Sequence, residues 1–247
     1  MAAKPTRLDS VRQDPSLKEQ ILASLRSAII DGRLVAGTLY SVQSLATDLG
    51  VSRTPVREAL IDLESRGMVR FERNHGVRVL ETSVHDLKEI LTLRLLLEVP
   101  ATFRAAEQLT PEQLAELREL VEDGESLLQG KGKRPKSQYD RVLDIDRRFH
   151  AAILQASGNR RLAEYVDHLR DLLSMRGLYT MAAQRDLGQY LGEHREIYDA
   201  LERQDAAAAA AIMRRHIIDT AHELLRRAGD ESGELDWAEV PPATVGS

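Results

Sequence analysis

The chain has 247 residues, enough for one large domain or two small ones, and its apolar residues (43%) include few aromatics (4%). The net charge of −5 argues against a nucleic-acid-binding surface over the whole chain, but the charge is unevenly distributed. Residues 1–80 carry 12 Lys/Arg against 9 Asp/Glu, whereas residues 81–247 carry 22 against 30. Because phosphate contact needs local positive charge, the asymmetry suggests a DNA-facing N-terminal unit and an acidic second unit.

The composition also excludes several kinds of site and location. The absence of cysteine excludes disulfides and thiolate metal sites. Residues 1–8 contain no apolar core of a secretory signal, and the longest apolar run, 206–213, is too short to cross a bilayer. We therefore expect a cytoplasmic protein that makes no membrane contact.

The N-terminal third has the pattern of a winged helix-turn-helix. Apolar residues at helical spacing predict three helices, over 14–30, 42–49 and 53–66. Gly50 allows a tight turn before the third helix, and Ser52 is expected to be its N-cap. Two alternating stretches, 69–72 and 77–80, flank a turn sequence and predict a β-hairpin. This order of elements predicts a DNA-binding domain over 14–80.

The rest of the chain is predicted to be helical after a short polar linker, 81–83. Thr110 and Gln113 around Pro111 form a helix-start signature. Six helices are predicted, near 84–109, 111–129, 138–157, 160–182, 186–203 and 205–228. The ends, 1–13 and 229–247, are expected to be a flexible and a disordered tail. The predicted fold is mainly α: a winged helix-turn-helix of three helices and a hairpin, joined to an all-α bundle over 84–228.

The third predicted helix carries the residues that suit DNA reading. Arg53 and Arg57 are four residues apart and share one face, opposite the apolar side of the helix. Arginine pairs bidentately with guanine in the major groove, and the hydroxyls of Ser52 and Thr54 lie at the helix N-terminus, where phosphate binds. Two arginines alone more often form a solvated basic face. The glycine turn, the cap and the hairpin together favour DNA reading.

The segment LATDLGVSRTPVREALIDLESRG, residues 45–67, resembles the GntR family of bacterial transcription regulators, and the resemblance extends over about 16–80. It implies that the third helix enters the major groove and that the wing tip enters the minor groove. The implied contacts are those of Arg53, Thr54 and Arg57, with wing contacts from His75 and Gly76. Gln43 departs from the family, which often has an arginine there; glutamine can read adenine but cannot neutralise a phosphate.

Three histidines of the helical half fall in register with apolar positions. His150 follows Asp146 by four residues on one helix face, and His194 and His216 lie in two later helices. Three imidazoles and one carboxylate would suit Zn, Ni or another borderline divalent ion, with open positions for a carboxylate effector. Spacing alone does not show that three distant helices meet, and a single histidine is more often an ordinary structural residue.

Residues 84–228 resemble the helical ligand-binding domain of the FadR-type branch of GntR regulators, known as the FCD domain. The matching elements are Asp146 with His150, His194, and His216 after Met213. This set resembles the metal-binding members of that branch, which implies a divalent metal site. Arg94 lies on an otherwise apolar helix, where it either pairs with Glu98 or clamps the effector carboxylate; the resemblance favours the clamp.

These observations predict a transcription regulator whose affinity for double-stranded operator DNA is controlled by a small carboxylate bound at a divalent metal. We expect a homodimer, because two-fold protein symmetry matches a palindromic operator. Two alternatives remain: a regulator that responds to the metal itself, and a His₃-Asp metalloenzyme. The sequence has no His-Glu-x-x-His motif, and Glu193 is expected on a different helix face from His194. We therefore predict that the protein is not an enzyme.

Overall fold

A computed structural model describes residues 15–128, 136–175, 187–230, 232 and 235. The chain forms two compact units, the first covering the described residues up to 29 and 33–80, and the second covering 30–32 and the described residues from Glu81 onward. Within the described residues there are nine helices and three strands. The predicted tail 1–13 lies outside the described part of the chain, as do most residues of the predicted tail 229–247.

The first unit contains three helices and a small antiparallel sheet. The helices are α1 (Leu17–Ile30), α2 (Val42–Asp48) and α3 (Arg53–Ser65). The strands are β1 (Leu39–Tyr40), β2 (Val69–Glu72) and β3 (Gly76–Val79), in the order β1-β3-β2. The three helices and the hairpin were predicted, but β1 was not, because two residues are too few to show an alternating pattern.

The sheet of the first unit packs against the apolar side of α3. Val56, Leu60 and Leu63, which form this apolar side, are at most 1% exposed. A glycine is needed where β1 meets β3: Gly76 has φ of +127°, and a Cβ there would lie 2.2 Å from the carbonyl oxygen of Tyr40. The wing therefore depends on a close backbone approach that another residue would block.

The second unit is a helical bundle, as predicted. Its helices are α4 (Val84–Gln108), α5 (Pro111–Ser126), α6 (Lys136–Ala156), α7 (Arg160–Met175), α8 (Leu187–Glu202) and α9 (Ala206–Arg227). A capping box fixes the start of α5, where the Thr110 side chain accepts from the backbone N–H of Gln113, and Gln113 accepts in return from that of Thr110. The parts of the predicted helices at 129, 176–182 and 186 lie outside the described residues.

Helix α4 lies at the centre of the bundle and contacts α6, α7, α8 and α9. Its buried side includes Leu87, Leu91 and Leu95, which belong to one apolar core shared by the described helices of the second unit. The residues after α9 also contact this unit: Lys88 Nζ lies 2.6 Å from Asp230 Oδ2, and Leu235 is 5% exposed in the same core. None of the described helices is long and apolar enough to cross a membrane.

Candidate metal centre and nucleic-acid interface

The predicted DNA-reading residues of α3 lie on its exposed side. Arg53, Thr54 and Arg57 are exposed, while Val56 and Leu60 on the opposite side are buried. Ser52 occupies the N-cap position with extended backbone, but its side chain makes no capping hydrogen bond. The predicted N-cap position of Ser52 is therefore confirmed, but its hydroxyl does not satisfy the amides of the first turn of α3.

Contacts inside the first unit tie α3 to the wing. The Arg57 guanidinium lies 5.3 Å from the ring centroid of Phe71 on β2, a cation–π contact that restrains this long side chain. Glu64 of α3 accepts a 2.7 Å hydrogen bond from the backbone N–H of Phe71. The recognition surface and the wing are thus held as one piece.

The remaining predicted DNA contacts occupy two places in the first unit. Gln43 on α2 is exposed, and its side-chain nitrogen is 3.4 Å from the Thr47 hydroxyl. His75 is exposed at the wing tip, beside Asn74 with φ of +64°. Gly76 is half-buried at the start of β3. Because glycine has no side chain, only its backbone could contact DNA.

The structure brings together the four predicted metal ligands, from three helices of the second unit. Asp146 and His150 lie on α6, His194 on α8 and His216 on α9, and none is more than 3% exposed. One possible ligand atom from each residue lies within 4.8 Å of all the others. Helical spacing placed each histidine on an inward face, and the packing of α6, α8 and α9 places all three at one point.

Each imidazole of this cluster directs Nε2 toward its centre. His194 Nε2 is 3.0 Å and His150 Nε2 is 3.4 Å from Asp146 Oδ1. The Nε2 atoms of His150 and His216 are 3.3 Å apart. Ligand atoms at such distances from one another can surround a single ion. The donor set is three nitrogens and one carboxylate oxygen, which suits Zn, Ni or a similar divalent ion.

The other ring nitrogen of each histidine faces a hydrogen-bond acceptor. His150 Nδ1 is 2.5 Å from Glu98 Oε2, His194 Nδ1 is 3.0 Å from the Tyr190 carbonyl oxygen, and His216 Nδ1 is 2.8 Å from Glu193 Oε2. With the Nδ1 proton donated to these acceptors, Nε2 is the nitrogen whose lone pair is available to a bound metal. Metal-binding histidines in proteins are oriented in this way. The residues present therefore fit a divalent metal.

Two further side chains fix the carboxylate of the cluster. The Tyr190 hydroxyl donates to Asp146 Oδ1 over 2.5 Å, and Arg170 Nη2 donates to Asp146 Oδ2. Phe149 packs edge-on against His194, with ring centroids 4.9 Å apart. The ligands are therefore held by side chains that are themselves buried, which is the preorganisation a metal site needs.

Arg94 is placed beside the cluster by its partner Glu98. Its Nε is 2.5 Å from Glu98 Oε1, and both side chains are at most 2% exposed. Burial alone would raise the pKa of Glu98, but Arg94 and His150 together hold it well below its usual range. Glu98 is therefore ionised and accepts from His150. The ion pair that was the alternative to an effector clamp is present, and whether Arg94 also contacts an effector stays a prediction.

Sequence reasoning missed part of this arrangement. Glu193 was expected on a different helix face from His194, and its contact with His216 on α9 was not predicted. Arg170 and Tyr190 were not identified, although a signal existed for each. Arg170 is a charged residue in register with the apolar Val166 and Leu173, and Tyr190 precedes His194 by one helical turn.

Comparison with known proteins identifies a family model that matches each of the two units. Residues 17–79 match the family model of bacterial regulatory proteins of the gntR family, and residues 89–219 match the FCD domain. The transcriptional regulator McbR of Escherichia coli is 31% identical over 77% of this chain and 84% of its own length. LutR of Bacillus subtilis is 28% identical over 76% of this chain and 92% of its own. Both are named as transcriptional regulators.

Solved structures show the same architecture. Escherichia coli McbR superposes with a TM-score of 0.72 at 27% identity, covering 86% of this chain and 98% of the other. A GntR regulator from Rhodococcus superposes with a TM-score of 0.67 at 26% identity, covering 85% and 97%. The two matched domains, the relatives and the shared fold lead to one conclusion: the chain belongs to the GntR family of DNA-binding transcription regulators and carries an FCD domain.

Proposed function

We propose that this regulator changes its operator affinity when a small carboxylate binds at a divalent metal, Zn or Ni, in the second unit. The observation that carries the proposal is the buried cluster in which three Nε2 atoms and one carboxylate oxygen face one another. Each of its imidazoles has an acceptor at Nδ1. Such complete orientation of three buried histidines is expected for ligands and is not needed for core packing.

The metal would be held by Asp146, His150, His194 and His216. Four protein ligands on an ion that accepts five or six leave coordination positions for a carboxylate. The chain's own residues supply the rest of the effector site. Arg94 is predicted to contact the effector through guanidinium N–H groups other than Nε–H, which is bonded to Glu98.

The first unit would bind operator DNA through α3 and the wing. Arg53 and Arg57 are predicted to contact base edges or phosphates, with Ser52 and Thr54 at the helix N-terminus contacting phosphate. Gln43 is predicted to contact DNA from α2, and His75 and Gly76 from the wing. Their exposure on one small domain, with Arg57 restrained by Phe71, supports this assignment.

We propose a homodimer as the DNA-binding form. A palindromic operator presents two equal half-sites, which a two-fold symmetric protein matches. The second unit also carries apolar surface that a partner would cover: Leu93 and Leu96 of α4 are 45% and 42% exposed. Sedimentation of the purified protein tests this form, since a monomer at the concentrations that bind DNA would contradict it.

A gel-shift titration tests the proposed control of DNA binding. Operator fragments are first selected from a random-sequence DNA pool by the purified protein. Affinity is then measured for apo protein, zinc-loaded protein, and zinc-loaded protein with lactate. We expect the carboxylate to change affinity at least about tenfold, a typical allosteric coupling. His216→Ala should abolish that response, and His222→Ala, a half-buried control on the same helix, should retain it.

The arms of this titration separate the proposal from its main alternative. A regulator that senses the metal itself would change affinity on zinc loading, with no further effect of lactate or other small carboxylates. Operator binding that is unaffected by metal and carboxylate alike would contradict both versions of control. The DNA-binding assignment would survive that result, because it rests on the first unit.

A further inference from the structure

Arg170 of α7 is a buried cation beside the metal cluster with one of its nitrogens unsatisfied. Its side chain is 4% exposed, and Nη2 donates to Asp146 Oδ2. Nη1 is also buried, and no described residue accepts a hydrogen bond from it. Buried guanidinium N–H groups almost always have an acceptor, because losing water without replacement is costly. Within the described part of the chain nothing supplies that acceptor, and the arrangement therefore points to a bound ligand.

Covalent geometry places Nη1 at the edge of the metal cluster. Nη1 and Nη2 are bonded to the same carbon, and Nη2 holds the carboxylate whose other oxygen, Asp146 Oδ1, faces the histidines. The neighbouring buried acid on α7 is occupied elsewhere: Asp171 accepts from Arg147 Nη2 over 2.7 Å. Arg147 also pairs with Asp167. An acceptor for Nη1 would therefore lie beside the carboxylate of the cluster.

The buried charges around the cluster limit the charge of that ligand. Arg94 and Arg170 are opposed by Glu98, Asp146 and Glu193, which gives a net charge of −1 with neutral histidines. The charge of the buried Asp171 is compensated by Arg147. A divalent ion brings the total to +1. Uncompensated charge in a buried site is strongly unfavourable, so one negative charge on the ligand gives the neutral, stable arrangement.

We infer that the effector is a singly charged carboxylate and that Arg170 binds it through Nη1 while Nη2 positions Asp146. This inference deepens the proposed function and rests on it. Arg170 then has two roles: Nη2 positions the metal ligand Asp146, and Nη1 binds the anion. A charge-assisted hydrogen bond of this kind adds both affinity and orientation. Effectors with two or three carboxylates would leave excess negative charge in the site.

Calorimetric titration of the zinc-loaded full-length protein tests both the charge of the effector and the role of Arg170. The probes are lactate, malate and citrate, which share an α-hydroxycarboxylate and differ in carrying one, two or three carboxylates. The wild type is expected to bind lactate more tightly than malate, and malate more tightly than citrate. Arg170→Lys keeps the positive charge and one nitrogen for Asp146, but removes the second nitrogen. We expect it to bind lactate about tenfold or more weakly, with unchanged zinc content by elemental analysis.

Arg161→Lys is the matched control, because Arg161 is an exposed arginine on the same helix. It should bind lactate as the wild type does. Arg170→Lys with full zinc and unchanged lactate affinity would overturn the inference and leave the proposed function intact. Loss of zinc from Arg170→Lys, with normal lactate affinity once zinc is saturating, would also overturn it, since Arg170 would then serve Asp146 alone.

Two results concern the wild type. Citrate binding as tightly as lactate would refute the argument from charge. Zinc-loaded wild type that binds none of the three carboxylates would contradict the proposed function itself, and the inference would fail with it.

Discussion

Glu193→Gln is predicted to weaken metal binding without changing any metal ligand. Glu193 is 5% exposed on α8, and its Oε2 lies 2.8 Å from His216 Nδ1. A carboxylate that accepts from Nδ1–H makes Nε2 a better donor to a metal. Glutamine has nearly the same shape but no charge, and it replaces a charge-assisted hydrogen bond with a neutral one of roughly half the strength.

The expected size of the effect follows from this contact. Replacing a group that orients a metal-binding histidine typically lowers metal affinity about 10- to 100-fold, or about 1.4 to 2.7 kcal/mol. Because glutamine can still accept through its amide oxygen, we expect the lower end, about tenfold. Glu196→Gln is the control: Glu196 lies one turn further along α8, exposed and paired with Arg215, so zinc affinity should stay unchanged.

Competition with a chromophoric chelator measures zinc affinity for apo wild type and both variants. Circular dichroism of each apo protein checks that the helical content is equal. Equal zinc affinity for Glu193→Gln and wild type would refute the reasoning, because it would mean that His216 does not depend on its Nδ1 partner. A matching loss in Glu196→Gln would refute it as well, since the effect would then be one of overall charge.

Other predictions concern folding and DNA binding. Gly76→Ala should lower the free energy of unfolding of the first unit by about 2 kcal/mol or more in urea denaturation, and more than Gly50→Ala, which adds backbone strain without a clash. Ser83→Ala removes the side-chain acceptor at the start of α4. It should lower the free energy of unfolding of the second unit by about 1 kcal/mol, measured as a lower thermal midpoint. Arg53→Ala should lower operator affinity by about 1 to 3 kcal/mol if it reads a base; a uniform loss on all sequences, with a salt slope smaller by about one, would show a phosphate contact instead.

The order of elements was readable from the sequence because local signals determine it. Apolar residues at helical spacing, Gly50 between α2 and α3, and the Thr110–Gln113 capping box each act over a few residues. Strand β1 was not readable, because its two residues take extended form only through pairing with β3. The same holds for Leu235, whose burial depends on a distant part of the bundle.

Part of the candidate metal centre was also predictable from local signals, and part depends on how the helices pack. The i, i+4 pair of Asp146 and His150 and the inward register of His194 and His216 were visible in the sequence, and the resemblance to metal-binding regulators supplied the expectation that they meet. The acceptors behind the histidines were not predictable, since Glu193 contacts a histidine 23 residues away on another helix. Helix packing decides such contacts, and helical periodicity shows only which residues face inward.

X-ray absorption at the zinc edge tests the central claim most directly, because it reports the ligand atoms around the ion itself. For protein loaded with one equivalent of zinc, we predict scattering from three imidazoles, with nitrogen and oxygen ligands at about 2.0 to 2.1 Å. His222→Ala should give the same spectrum, and His216→Ala should show one imidazole fewer. Zinc that washes away during gel filtration of the wild type, or a spectrum that His216→Ala leaves unchanged, would contradict the account.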